Sequence, residues 1–278
     1  MSAEIYSIPT NKLHPFEGHP YKVLDDEDME ALTESIRTVG IMSPLLVRPL
    51  KGVPEEYEVI SGHRRLHAAI KAGKENVPAF VFNFNRDAAI VLLVDSNLHR
   101  EHVLPSEKAF AYKMKLEALK HQGIASRQVV GKPESADLIS ETESGRTVQR
   151  YIRLTNLVPP LLDLMDRGRI AFSVGVELSY LSQEIQQYLA DRIELDDVTP
   201  SLSQAVRMHK ESNLTFEKVD EIMDEPKPNQ RETIKLRRED FRKYFPANYS
   251  DKQIQKDILE GLDLLHRKRQ RERDRDSR

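Results

Sequence analysis

The stretch Ser61-Gly62-His63-Arg64-Arg65-Leu66-His67-Ala68-Ala69 sets a glycine at the start of an amphipathic run. A glycine at a helix N-terminus leaves backbone N–H groups bare, and the helix dipole favours an anion there. Arg64 and Arg65 can fork onto phosphate oxygens, although two adjacent arginines are also what a solvated helix face carries. Asn97-Leu98-His99-Arg100-Glu101 closes a second helical run. There Asn97 can offer its carbonyl oxygen to Mg²⁺ while Arg100 meets a phosphate. His99 and His102 suit surface or anion-contacting roles better than metal ligation. His63 and His67 are four apart, as two zinc ligands on a helix would be. Arg64 lies between them, and its charge beside a divalent metal argues against that site.

A third group is Ser144-Gly145-Arg146-Thr147-Val148-Gln149-Arg150-Tyr151-Ile152-Arg153-Leu154. Val148, Tyr151 and Ile152 form one apolar helical face. Arg146, Gln149, Arg150 and Arg153 recur at i, i+3, i+4 and i+7 on the opposite one. With a short preceding helix at Ala136–Ile139 and a turn at Ser144–Gly145, this reads as a helix-turn-helix. Its second helix would enter the major groove, with Ser144, Arg146, Thr147, Gln149, Arg150 and Arg153 as the DNA contacts. A solvated helix face is the alternative. No acidic residue occurs from Ser144 to Leu154 in a chain that is 31% charged, which favours DNA.

The elements that must carry these groups fall into three parts. Residues 1–105 alternate helices and strands. Asp25 or Asp26 caps a helix with Met29, Leu32, Ile36 and Val39 on one stripe and Gly40 as its exit. Strands follow at Leu45–Val47, at Tyr57–Ile60 (alternating, hence half-buried) and at Pro78–Phe84, with a helix from His63 to Ala72 between the last two. Ala88–Leu98 and Pro105–Lys120 are helices, the latter opened by Pro105 and Ser106. Residues 106–215 read as all-helical. Residues 216–278 hold a linker around Pro226 and Pro228, then a helix, Lys252–Arg267, whose stripe of Ile254, Ile258, Leu262 and Leu265 suits dimerisation or packing on its own domain. The fold class expected is α+β.

Composition narrows the functions. The 278 residues carry 42 Lys/Arg against 45 Asp/Glu, net −3, so any nucleic-acid surface is a local patch. The last thirteen residues, His266–Arg278, hold seven Lys/Arg and read as a frayed, solvated end. The absence of cysteine excludes disulfides, thiolate zinc sites and thiol catalysis. There is no GxxxxGK[ST] loop, GxSxG elbow or HExxH helix. The longest apolar run, Ala88–Val94, is seven residues, against roughly 20 for a membrane span. A soluble, cytoplasmic protein is expected.

Three blocks together resemble the ParB/RepB family of centromere-binding partition proteins. They are Ser35-Ile36 with Gly40-Ile41-Met42-Ser43-Pro44-Leu45-Leu46-Val47-Arg48-Pro49; Gly62-His63-Arg64-Arg65-Leu66-His67-Ala68-Ala69, similar to GERRxRAA; and Ser96-Asn97-Leu98-His99-Arg100-Glu101 with Pro105, Glu107 and Ala109, similar to ENxQRxxLxPxExA. The resemblance runs from about residue 5 to 210 and takes in Val176–Leu181 as the helical region after the helix-turn-helix. It implies a small mixed α/β nucleotide-binding domain, a helical DNA-binding domain and a short C-terminal helical region. It further implies a CTP-gated clamp: Gly40, Ser43 and Pro44 at the base, Gly62, His63, Arg64 and Arg65 at the phosphates, Asn97 on Mg²⁺ and Arg100 closing the site. The partners implied are double-stranded DNA with a centromere-like site, a ParA-type Walker ATPase and a second copy of the chain, in a nucleoid- or plasmid-associated assembly.

Ser43 stands where the family's base loop has Gln, His63 and Ser96 where it has Glu, and His99 where it has Gln. Ser96 is no comparable base near neutral pH, so nucleotide binding without rapid hydrolysis is expected, at most a slow CTPase. Two other readings use the same residues: a helix-turn-helix transcriptional regulator with a vestigial nucleotide site, and a phosphotransferase or nuclease on this fold.

Overall fold

The computed structural model describes residues 4–98, 100, 103–122, 139–140, 143–225, 244–245, 253–254, 256–258, 260–262 and 264–267. Residues 1–225 make one compact unit and 226–278 a second. In the first, five strands form a mixed sheet: β1 Ile5–Pro9, β2 Leu13–Pro15, β3 Leu45–Pro49, β4 Tyr57–Ser61 and β5 Asn76–Val81, in spatial order β1-β5-β3-β4-β2. β3 runs antiparallel to β4 and parallel to β5, while the edges β1 and β2 pair antiparallel to β5 and parallel to β4.

Helix α1, Glu27–Val39, begins where the Asp26 carboxylate accepts the Met29 N–H and ends at Gly40, whose φ of +84° needs glycine. It buries Met29 and Ile36, and with α2, His63–Lys71, it covers one face of the sheet through Leu45, Val47, Val59 and Leu66. On the other face, α3 (Arg86–Leu98) and α4 (Pro105–His121) bury Phe16, Tyr21, Ile60, Ile90, Leu93 and Ala111. β4 is therefore not the half-buried strand its alternation suggests: Glu58, Val59 and Ile60 are all buried. Glu58 is compatible with burial because Arg48, directly opposite on β3, donates Nε and Nη2 to its Oε2 at 2.7 and 2.5 Å. The Glu17 N–H adds a third donor at 2.9 Å.

Beyond α4 the unit is helical: α5 Gly145–Arg153, α6 Pro159–Asp166, α7 Phe172–Leu178, α8 Gln183–Asp196, α9 Leu202–Lys210 and α10 Phe216–Asp224. They close on Leu154, Leu161, Leu178, Leu189, Ile193 and Met208, all fully buried. α4 joins the two halves, since Ala111 and Ala118 pack into the sheet-side core and Tyr112 and Leu119 pack with Val148 of α5. The chain is α+β as expected. Three expectations lie wholly or partly outside the described residues: the first helix of the helix-turn-helix (except Ile139), the Pro226–Pro228 linker, and the tail beyond Arg267. The described residues between 253 and 267 are helical, with Leu262 and Leu265 exposed. No helix of the described residues is long and apolar enough to cross a membrane.

Candidate functional site

Gly62 ends β4 and caps α2 with φ +105°, a conformation that strains any side chain. A Cβ there would come within 3.1 Å of both Leu45 Cγ and Arg65 Nη2. No side chain caps the first amides of α2, and no acidic residue occupies its first turn. Arg65 folds back to donate to the Ser43 carbonyl and, at 2.9 Å, to the Pro44 carbonyl, tying the loop after Gly40 to the start of α2. Arg64 reaches Asp26 Oδ1 at 3.4 Å. Ser43, Pro44, Gly62 and Arg65 are thus brought together, with Arg64 beside them on α2 and Gly40 at the start of the same loop.

Arg100 is near enough for its charge to act on Arg65. Burial draws the Arg65 guanidinium down from its usual range, and the charge of Arg100 draws it further. Neither arginine has a carboxylate partner among the described residues. Two neighbouring cations without a carboxylate partner among the described residues favour an anion.

His63 sits at the first position of α2, but its side chain faces inward. Its Nε2 accepts the Phe16 N–H at 3.3 Å, and its ring lies 3.7 Å from that of His19. Burial, then the nearby His19 and Arg100, push its pKa down to about 3, so the imidazole is neutral. What it offers an anion is its backbone N–H. His19 donates Nδ1–H to the Tyr21 carbonyl at 2.8 Å, and burial also lowers its pKa. The sequence reading missed His19 and Tyr21; the dense His14-Pro15-Phe16-Glu17-Gly18-His19-Pro20 run was the available signal. The same loop reaches the helical half, where the Lys22 N–H bonds Glu107 and the Lys22 ammonium bonds Asp166.

Asn97 is buried and donates its amide nitrogen to the Leu93 carbonyl at 2.7 Å and to Ser96 Oγ at 3.3 Å. Its carbonyl oxygen is the atom left for a cation. Among the described residues no three acidic or histidine side chains gather as a metal site. A Mg²⁺ here would take most of its ligands from phosphates and water, as that ion usually does. His99, Glu101 and His102 lie outside the described residues.

In α5, Ser144 caps the helix by accepting the Thr147 N–H, and Val148 is fully buried. Arg146 and Gln149 are exposed, as their spacing requires. Arg150 and Arg153 are half-buried: their guanidiniums lie 4.8 Å from the Phe172 ring and 3.9 Å from the Tyr180 ring. None of the three arginines of this helix pairs with a carboxylate among the described residues.

Residues 1–98 match the ParB N-terminal domain. This match identifies a ParB N-terminal domain over about a third of the chain. Similarity to curated relatives extends past that domain. The chain is 29% identical over 244 residues to the nucleoid occlusion protein of Halalkalibacterium halodurans, covering 86% of this chain and 77% of the relative. It is 36% identical over 183 residues to the chromosome-partitioning protein Spo0J of Thermus thermophilus, covering 66% and 62%. It spans under half the length of several other curated relatives. Among solved structures it is similar to C-terminally truncated ParB of Caulobacter crescentus complexed to the centromeric parS site. There the identity is 21%, the coverage 74% of this chain and 98% of that one, and the TM-score 0.43.

Proposed function

We propose that this chain is a protein of the ParB family: a nucleotide-gated, sequence-specific DNA-binding protein of the partition or nucleoid-occlusion type. Residues 1–105 form its nucleotide half and residues 106–215 its DNA-binding half. The carrying observation is Arg65, a cation without a carboxylate partner among the described residues, lying against Gly62 at the uncapped start of α2 with the charge of Arg100 nearby. That geometry fits the phosphates of a nucleoside triphosphate. The family resemblance of the Gly40–Pro44 and Gly62–Ala69 blocks supports CTP as the nucleotide, with Asn97 contributing to its Mg²⁺. When bound, the nucleotide supplies a charge that the arginines are arranged to meet. Arg65, already holding the Ser43 and Pro44 carbonyls, links phosphate contact to the position of the base loop.

Hydrolysis is slow on this reading. Ser96, at the family's Glu position, donates its hydroxyl to the Leu93 carbonyl at 3.0 Å and offers no carboxylate to a water. DNA binding rests on α5, capped at Ser144, free of acidic residues and exposing Arg146 and Gln149. Gly145–Arg153 would read the duplex, and a second copy, joined through the Ile254–Leu265 stripe, would close the clamp. A ParA-type ATPase is the partner this function requires.

The test is crosslinking of the protein to DNA across the whole genome, for the wild type and for Arg64→Ala. The clamp predicts a peak that spreads along the DNA in the wild type and collapses to a point in the variant. Point-like peaks at promoters in both would overturn it and identify a helix-turn-helix regulator.

A further inference from the structure

The C-terminal half of α5 is held by rings that its own sequence does not contain. The Arg153 guanidinium carbon lies over the Tyr180 ring at 3.9 Å from its centroid, and Tyr180 stacks on His209 of α9 with centroids 4.1 Å apart and planes 8° apart. His209 is fixed from behind by Glu177 of α7, whose Oε2 is 2.7 Å from its Nδ1. Tyr180 follows the end of α7 and is half-exposed, so the stack borders solvent.

The guanidinium at the head of this stack is poorly satisfied by the protein. Its Nη2 makes a long 3.4 Å contact to the Ser179 carbonyl, and its Nε is buried with no partner. No carboxylate pairs with it among the described residues, and Glu177, the acid of the cluster, is engaged by His209. A guanidinium keeps its charge at any physiological pH and carries five donors in a rigid plane. Clamping that plane on an aromatic ring removes the rotamer freedom that a free arginine loses on binding. A fixed, un-neutralised guanidinium on a helix without acids is built for an external anion.

We propose that Tyr180 and His209 are positioning residues of the DNA site, and that their stack presets Arg153 to meet a backbone phosphate of duplex DNA. The proposal rests on the reading of α5 as the DNA-binding helix and adds two residues from α7–α9 to it.

The experiment uses the full chain and a duplex that the wild type selects from a random-sequence library. Affinity is measured by fluorescence anisotropy over a salt series. Arg153→Ala and Tyr180→Leu each weaken binding by roughly tenfold and lower the salt slope by about one, the signature of one lost phosphate contact. Tyr180→Phe, which keeps the ring, retains wild-type affinity and slope. A purely structural Tyr180 would lower the melting temperature in Tyr180→Leu and leave the slope at its wild-type value, which overturns the proposal. Should Tyr180→Leu not fold, Arg153→Gln carries the same test: an unchanged slope overturns it. A wild type that selects no duplex defeats the DNA reading itself, whereas selection with an unchanged slope in the variants defeats only the role of the stack.

Discussion

His63 makes the fold sensitive to acid in a way that one substitution isolates. Its imidazole titrates near 6.5 when the chain is unfolded. In the folded protein burial, with His19 and Arg100 beside it, pushes that value down to about 3. Between the two values the unfolded chain holds the proton and the folded chain does not. Stability therefore rises with pH through this window and levels off above it. At pH 5 the unfolded imidazole is about 1.5 units below its pKa and the folded one still neutral. At about 1.4 kcal/mol per unit, the loss between pH 7 and pH 5 is about 2 kcal/mol. For a unit of this size that is a fall in Tm of roughly 4–8 °C.

The assay is thermal unfolding by circular dichroism at pH 7, 6 and 5, for the wild type and His63→Gln. Glutamine retains an acceptor for the Phe16 N–H and removes the titration. Groups that do not touch His63 contribute equally to both proteins, so the difference in slope belongs to His63 and the His19 ring packed on it. A variant that loses as much stability as the wild type from pH 7 to pH 5 would falsify this account of the buried imidazole.

Two further predictions concern the site and its support. Gly62→Ala puts a side chain at φ +105° and a Cβ at 3.1 Å from Leu45 Cγ and Arg65 Nη2, costing about 1–3 kcal/mol of stability. It also displaces Arg65 and, if the proposed nucleotide site binds CTP, CTP affinity by isothermal calorimetry falls at least about tenfold; affinity equal to the wild type would remove Gly62 from the site. Glu58→Ala strands Arg48 in a nearly dry position and costs about 3–5 kcal/mol in urea unfolding. Replacing both, as Arg48→Met with Glu58→Leu, recovers much of that loss. Equal losses in the single and double variants would show that the uncompensated charge is not the cause.

The elements legible from the sequence are those whose determinants are local. α1 announces itself through the Asp26 cap, the Met29–Ile36 stripe and Gly40, and α2 through Gly62 and Gly73, because caps and helical periodicity act within a few residues. The edge strands escaped the reading. β2 is three residues long, contains Pro15, and exists only by pairing parallel to β4, a non-local contact that leaves no periodic trace. β4 misled because Glu58 looks like a solvent-facing residue. Its burial depends on Arg48, which the register of another strand brings opposite.

The candidate sites divide on the same principle. Gly40, Ser43 and Pro44 stand in one sequence block and Gly62, Arg64 and Arg65 in another, and Arg65, reaching back from α2 to the Ser43 and Pro44 carbonyls, ties the two blocks together. The spacing of Arg146, Gln149, Arg150 and Arg153 assigns them a shared side of α5, but spacing cannot say what else lies on that side. Phe172 and Tyr180 come from beyond another helix and turn two of the four into stacked guanidiniums. Helical periodicity assigns a residue its direction; only the tertiary neighbours decide whether that direction leads to water, to a ring or to a ligand. Arg153 illustrates the difference. Its position on α5 marks it as cationic surface, while its buried Nε and ring platform make it a fixed group with few conformations left to lose.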